Sequence, residues 1–296
     1  MRQTQFTQIT NTPMLLGECP LWHPLESMLY WIDIAGCAVH RFDPATGDRQ
    51  VWNLPAEPGC IAWRRAGGIV VATRLGVAIL DTASGTLSNL VDAPYDTRAF
   101  RFNDGRCDSA GRLWIGTLVD ARDGPYGTLY CLERGIFRAF DHPVMVSNGV
   151  AFSPDFSTMY HADTGAHRIN AYRFDAGKGT TEEARLFKAF STTKNADYRG
   201  RPDGAAVDSE GVYWVAMYEG GRILKISPEG RILTEISVPM MCPTMMAFGG
   251  QDLRTLYITG ASQKRDPDEL VKYPLSGHVI ATQVDVAGLP EHGYID

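Results

Sequence analysis

Two carboxylates and two amides recur in matched settings along this chain: Glu18-Cys-Pro-Leu-Trp22, Asn103-Asp-Gly-Arg-Cys107, Asn148-Gly-Val-Ala-Phe152 and Asp203-Gly-Ala-Ala-Val207. Two further stretches, Gly59-Cys-Ile-Ala-Trp63 and Thr244-Met-Met-Ala-Phe248, share the pattern. If Glu18 and Asp203 converge, their like charges repel unless a cation sits between them or one is protonated. Oxygen donors favour a hard divalent ion such as Ca²⁺, Mg²⁺ or Mn²⁺, with Zn²⁺ and Fe²⁺ also compatible. Three protein ligands would leave coordination positions for water and substrate, as a catalytic metal requires. Taken singly, Asn-Asp-Gly and Asn-Gly are ordinary turn chemistry. The metal reading therefore depends on elements that bring the four residues together.

An internal repeat supplies those elements. A short apolar strand entered from a polar turn returns six times, marked by Tyr30, Val70, Trp114, Tyr160, Trp214 and Tyr257, at spacings of 40, 44, 46, 54 and 43. Asp108-Ser-Ala-Gly111 and Asp208-Ser-Glu-Gly211 lead into two of the copies with the same turn chemistry. A second echo, a strand ending in an acidic or Ser turn beside a glycine, follows each marker and reads as a hairpin: Val39–Gly47, Val77–Gly85, Leu129–Gly135, Ala171–Gly177, Ile223–Gly230 and Val279–Gly288. No intervening stretch shows a helical period of ten or more residues, which disfavours a βαβ array. Six units of short strands predict an all-β fold, a six-bladed β-propeller occupying residues 1–296 as one domain without linkers. The last unit is short. The segment Gln3–Ile9 is expected to supply its outer strand and close the ring, removing two exposed sheet edges.

The segment 11 to 13 residues before each marker then forms an innermost strand. Its common position is Glu18, Gly59, Asn103, Asn148, Asp203 and Thr244 in successive repeats. Equivalent positions in a propeller lie on a ring about the axis. Two acids and two amides thus converge at one mouth of the channel, which a protein scaffold would not need.

Composition agrees. The 296 residues are 44% apolar and 21% charged, an ordinary globular balance with material for a core. Thirty glycines and 17 prolines are turn material for many short strands. A net charge of −6 argues against nucleic-acid or anionic-membrane partners. No apolar run is long enough to span a bilayer, and Met1–Phe6 has no apolar signal-like region. The six cysteines are scattered with no CxxC pair, so reduced thiols and a cytoplasmic location are expected.

At these residues the chain resembles the senescence-marker-protein / gluconolactonase / luciferin-regenerating-enzyme family, which includes regucalcin and bacterial sugar lactonases. The matching stretches are Leu16–Trp22, Arg101–Gly105, Gly111–Thr117, Ser147–Asp155, Arg201–Asp208 with Gly211 and Trp214, and Phe248–Gly250 with Leu256–Tyr257. The tail Val284–Gly288 looks most like the pentonolactonase branch. The resemblance implies a six-bladed propeller with one divalent ion at the channel mouth. It also implies Glu18, Asn148 and Asp203 as metal ligands, and Arg101 and Asn103 as substrate contacts. Some relatives add a glutamate after the strand matching Trp114–Thr117; Asp120 is the nearest acid here, one position off, and is the candidate substrate contact. Cys19 stands where relatives have glycine.

The function implied is hydrolysis of a sugar lactone, such as a xylono-, arabinono- or gluconolactone, to the sugar acid. The metal would polarise the carbonyl, water would attack it, and Asp203 would be the general base and later return the proton to the ring oxygen. The alternatives are a non-catalytic metal-binding regulator or propeller scaffold, and an esterase or phosphotriesterase using the same metal site. The expected partner is a small-molecule lactone, and the chain is expected to be a monomer or a weak homo-oligomer. The spacings of His142, His161 and His167 suggest separate loop and strand positions, and His161 and His23 are expected to be packing or surface residues rather than ligands. Trp22, Trp63, Trp114 and Trp214 are expected in the core, and Met240, Met241, Met245 and Met246 in the core or channel wall. Arg98, Arg101 and Arg106 are expected to form a small basic cluster near the mouth. There is no Gly-x-Ser-x-Gly, His-Glu-x-x-His, Walker A or Gly-x-Gly-x-x-Gly motif.

Overall fold

A computed structural model describes residues 4–296. Its strands form six four-stranded antiparallel sheets arranged as a six-bladed β-propeller. The innermost strands are Gly17–His23, Pro58–Trp63, Phe100–Cys107, Ser147–Phe152, Arg201–Val207 and Pro243–Gly249. Each pairs with the strand that carries a marker residue, as the repeat predicts. These inner pairs are almost wholly buried, because each blade packs on its neighbours through both faces.

The ring closes through the N-terminal segment. Thr7 pairs with Ala281 and Gln8 with Ile280, so the first described strand is the outer strand of the last blade. The ladder is shorter than the expected Gln3–Ile9; Gln3 lies outside the described residues. The sixth expected hairpin is therefore a single strand, Ile280–Gln283, whose partner comes from the other end of the chain. One element escaped the periodicity. A six-residue helix, Pro267–Lys272, interrupts the last blade, capped by Asp266 with Pro267 opening its first turn. Six residues are too few to display a helical period. Among the described residues no helix is long and apolar enough to cross a membrane.

The paired turn motifs have one physical job. The Asp108 carboxylate accepts from the backbone N–H groups of Ala110 and Arg112 and, through its second oxygen, from Trp114 Nε1 at 2.9 Å. Asp208 repeats this with Glu210, Val212 and Trp214 Nε1 at 2.8 Å. Each Asp thus locks a turn and satisfies an indole buried between blades. Asp208→Ala is expected to cost about 3 kcal/mol in urea unfolding, because three donors lose their acceptor in a dry site. Asp81→Ala, in an exposed turn, should cost about 1 kcal/mol or less in the same assay.

The far end of the channel is sealed by the C-terminal segment. Trp63 Nε1 donates to the Glu291 carbonyl, and Arg106 forms a 2.7 Å ion pair with the Glu291 carboxylate. The site described next therefore opens at the opposite mouth.

Candidate active site

Every inner strand breaks register at or beside its ring residue. Glu18 and Asn148 are the last paired residues before an irregularity. Asn103 and Asp203 lie inside one, between Phe102 and Gly105 and between Pro202 and Ala205. A bulge frees a side chain from the two-residue alternation and re-aims it, here toward the axis. The price of the turn falls on Cys19, which holds φ at +45°, a conformation that glycine adopts without strain. Gly59, the ring member of the second blade, contributes no donor. A Cβ there would meet the Phe102 carbonyl group at 2.5 Å, so the small residue lets the strand carrying Asn103 approach. Thr244 is also absorbed structurally, through Gly17 and Thr259.

The four remaining ring residues, with Arg101, line one cavity of about 320 Å³. The chain entering two of them is pinned from behind. Asp33 accepts from the N–H groups of Leu15 and Leu16, just ahead of Glu18. Asp163 does the same for Met145 and Val146, just ahead of Asn148. His161, buried and neutral because burial lowers its pKa to about 3, bonds Ser147 Oγ at 2.6 Å. It is a packed support beside Asn148.

A hydrogen-bond chain then crosses three blades. Arg101 Nη1 donates to Asn103 Oδ1 at 2.8 Å and to the Phe102 carbonyl. Asn103 Nδ2 donates to Asn148 Oδ1 at 2.8 Å and to the Ser147 carbonyl. Asn148 Nδ2 donates to Thr164 Oγ1, which donates to the Pro202 carbonyl, each at 2.7 Å. The chain fixes the amide orientations, so Asn148 presents its oxygen to the Asn103 side.

The two acids contrast with that satisfied network. Glu18 accepts only from its neighbour Cys19 N, at 3.3 Å, and Asp203 accepts no side-chain or backbone hydrogen bond among the described residues. Burial raises the Glu18 pKa well above the usual carboxylate value, and Asp203 and Asp104 add repulsion. Burial likewise raises Asp203 to about 8, against the opposing pull of Arg201. Arg101 is lowered to about 10 by burial and by repulsion from Arg122 and Arg74, and stays charged at neutral pH. Two buried, donor-poor carboxylates facing one cavity, beside an amide oxygen with one lone pair still free, suit a hard divalent cation. Because the third donor is an amide, no set of three His, Cys, Asp or Glu side chains suited to a metal occurs among the described residues.

Asp120 is placed differently from the other five candidates. Its carboxylate pairs with Arg74 Nη1 at 2.9 Å, and Arg74 also grips Glu57 and the carbonyls of Thr97 and Phe100. Asp120 thus straps two blades together and does not line the cavity; Arg122, two residues on, does. The expected cluster of Arg98, Arg101 and Arg106 does not form. Arg98 pairs with Asp96 on the surface, and Arg106 lies at the sealed end of the same strand as Arg101. The indicated tryptophans are buried; Met240, Met245 and Met246 are buried too, and none of the four methionines lines this cavity. All six cysteines are free.

Four lining residues were missed as a set: Arg122, Arg201, Tyr218 and Lys264. His167, expected at a position separate from His142 and His161, also lines the cavity, with Nδ1 bonded to the Ser191 carbonyl at 2.8 Å. A signal existed for Arg201. It precedes Asp203 by two residues as Arg101 precedes Asn103, and residues i and i+2 share a strand face. Leu16 and Val146 occupy the same phase and also line the cavity. Tyr218 ends the second strand of its blade, and Arg122, His167 and Lys264 come from loops after second strands, where no periodicity guides the reading.

Fold and site define a six-bladed propeller with a single polar mouth built from inner-strand bulges. Residues 16–262 match the model of the SMP-30/gluconolactonase/LRE-like region, and the chain belongs to this family. It is 45% identical to a 6-deoxy-6-sulfogluconolactonase of Pseudomonas putida, over 96% of each chain. It is 33% identical to a pentonolactonase of Haloferax volcanii, over 88% of this chain and 86% of that one. The solved structure of regucalcin from Agrobacterium tumefaciens, described as a calcium-binding protein, superposes with a TM-score of 0.94 at 28% identity, covering 99% of this chain and 98% of that one.

Proposed function

We propose that this protein is a sugar lactonase that opens an aldonolactone, of the pentono- or gluconolactone type, to the sugar acid. A divalent cation held by Glu18, Asn148 and Asp203 assists. The observation that carries the reading is the meeting of two buried, donor-poor carboxylates with Arg101 in one open cavity. The lactonase names of the two relatives support the same class of reaction.

When bound, the cation supplies Lewis acidity toward the lactone carbonyl. The chain's own residues do the rest. Arg101, with Nη1 committed to Phe102 and Asn103, directs its remaining N–H groups at carbonyl or hydroxyl oxygens of the sugar. Asn103 holds Arg101 and Asn148 in register. Asp203 takes a proton as water adds to the carbonyl carbon. It returns that proton to the ring oxygen as the ring C–O bond breaks, leaving an alcohol and a carboxylic acid, which then loses its proton to solvent to become the carboxylate.

The test is a panel of pentonolactones, hexonolactones and aryl esters. It is run on chelated protein reloaded with Ca²⁺, Mg²⁺, Mn²⁺, Zn²⁺ or Fe²⁺. Lactone turnover above the spontaneous rate, lost on chelation and restored by one of these ions, is expected. Stoichiometric ion binding without turnover of any lactone would instead make the protein a metal-binding regulator.

A further inference from the structure

The charge on the cavity wall has the wrong sign for a neutral substrate. Four cations, Arg101, Arg122, Arg201 and Lys264, line it against two acids, Glu18 and Asp203. That is an excess of two positive charges before any metal is added, in a chain of net charge −6. A divalent ion on the two acids widens the excess.

The four cations are not equivalent. Arg101 is buried at the floor and tied into the Asn103 network. Arg201 is paired with Glu219 at 3.1 Å. Arg122 and Lys264 are exposed at the rim, on loops of the third and sixth blades, and their side chains make no hydrogen bond or ion pair among the described residues. Both hold left-handed backbone conformations, with φ at +50° and +56°. Their loops are nonetheless tethered: Arg122 N donates to the Val119 carbonyl and Gln263 N to the Leu15 carbonyl. Two unpaired cations held at the mouth add to the positive excess of the cavity.

Resting on the lactonase reading, we propose that the substrate is a lactone with a strong-acid group, a sulfonate or a phosphate, at the end remote from the lactone carbonyl. Arg122 and Lys264 receive that group. Hydroxyl groups cannot neutralise two fixed charges, whereas a sulfonate or phosphate offers three acceptor oxygens to guanidinium and ammonium donors. The carboxylate that ring opening generates does not account for the rim charges. It arises at the floor beside Glu18 and Asp203, where Arg101 is the cation.

The experiment compares kcat/KM for glucono-1,5-lactone, its 6-phospho form and its 6-deoxy-6-sulfo form, in the native protein and in the double variant Arg122→Gln/Lys264→Gln. The native protein is expected to prefer at least one anionic lactone by about tenfold or more, chiefly through KM. That preference should shrink as salt rises. The double variant should lose about tenfold of the preference. Equal or better use of the neutral lactone by the native protein would overturn the proposal. So would a preference that survives in the double variant. If no lactone is turned over, calorimetry with gluconate and 6-phosphogluconate or 6-deoxy-6-sulfogluconate separates the two ideas. Tighter binding of an anionic acid that depends on Arg122 and Lys264 upholds the anion site while the hydrolase reading falls. Equal binding removes the anion site.

Discussion

Asp203→Asn is expected to lower kcat/KM for lactone by about a thousandfold or more, while leaving a folded propeller. The substitution keeps the shape of the side chain and removes both its charge and its basicity. The general-base step and one anionic cation ligand are lost together. The fold should survive because Asp203 accepts no hydrogen bond from the described residues, so no protein donor is orphaned. In the metal-free state at pH 8 the variant should melt at a higher temperature than the native chain. It no longer confines a carboxylate beside Glu18 and Asp104. Glu18→Gln should behave in the same way. Asn148→Ala should differ, since it cuts the chain from Asn103 to Thr164 and costs stability as well as activity. The measurements are steady-state turnover and thermal melting in chelator. Undiminished turnover in Asp203→Asn, after chelation and reloading, would sink the assigned role.

Relative to Asp203→Asn, the metal-free native protein is expected to lose stability as pH rises from about 4 to about 8. Asp203 titrates near 3.8 when unfolded and near 8 when folded, raised mainly by burial, and Glu18 is shifted in the same direction. Between those values the folded state holds protons that the unfolded state has released. Each step up in pH therefore reduces what these two acids contribute to stability, while histidines held neutral by burial, such as His161, act in the opposite direction and are common to both proteins. A divalent cation competes with those protons, so its stabilisation should be small at pH 5 and large at pH 8.5. At a concentration about a thousandfold above its dissociation constant, the cation should raise the melting temperature at pH 8.5 by roughly 5–10 °C. Melting curves with chelator and with each ion, at both pH values, measure this. An ion-induced gain that is the same at pH 5 and pH 8.5 would contradict a site built from these two acids.

Much of the site was legible before any coordinates because the propeller repeats in space what the chain repeats in sequence. Glu18, Asn103, Asn148 and Asp203 share one phase, and one phase means one height on the ring. The Asp108 and Asp208 turns were legible for the same reason, since local backbone chemistry specifies them. The Pro267–Lys272 helix was not, being too short for its period to register.

The sequence by itself determined the blade number, the inner strands and the ring of acids and amides, because each depends on spacings within about fifty residues. Tertiary structure alone decided which charges reach the cavity. Asp120 was claimed by Arg74 of the neighbouring blade, and Arg106 by Glu291 at the sealed end. Arg122 and Lys264 arrived at the rim on loops whose paths no repeat dictates. Ion pairing between blades joins residues far apart in the chain, and only the closed ring sets those distances.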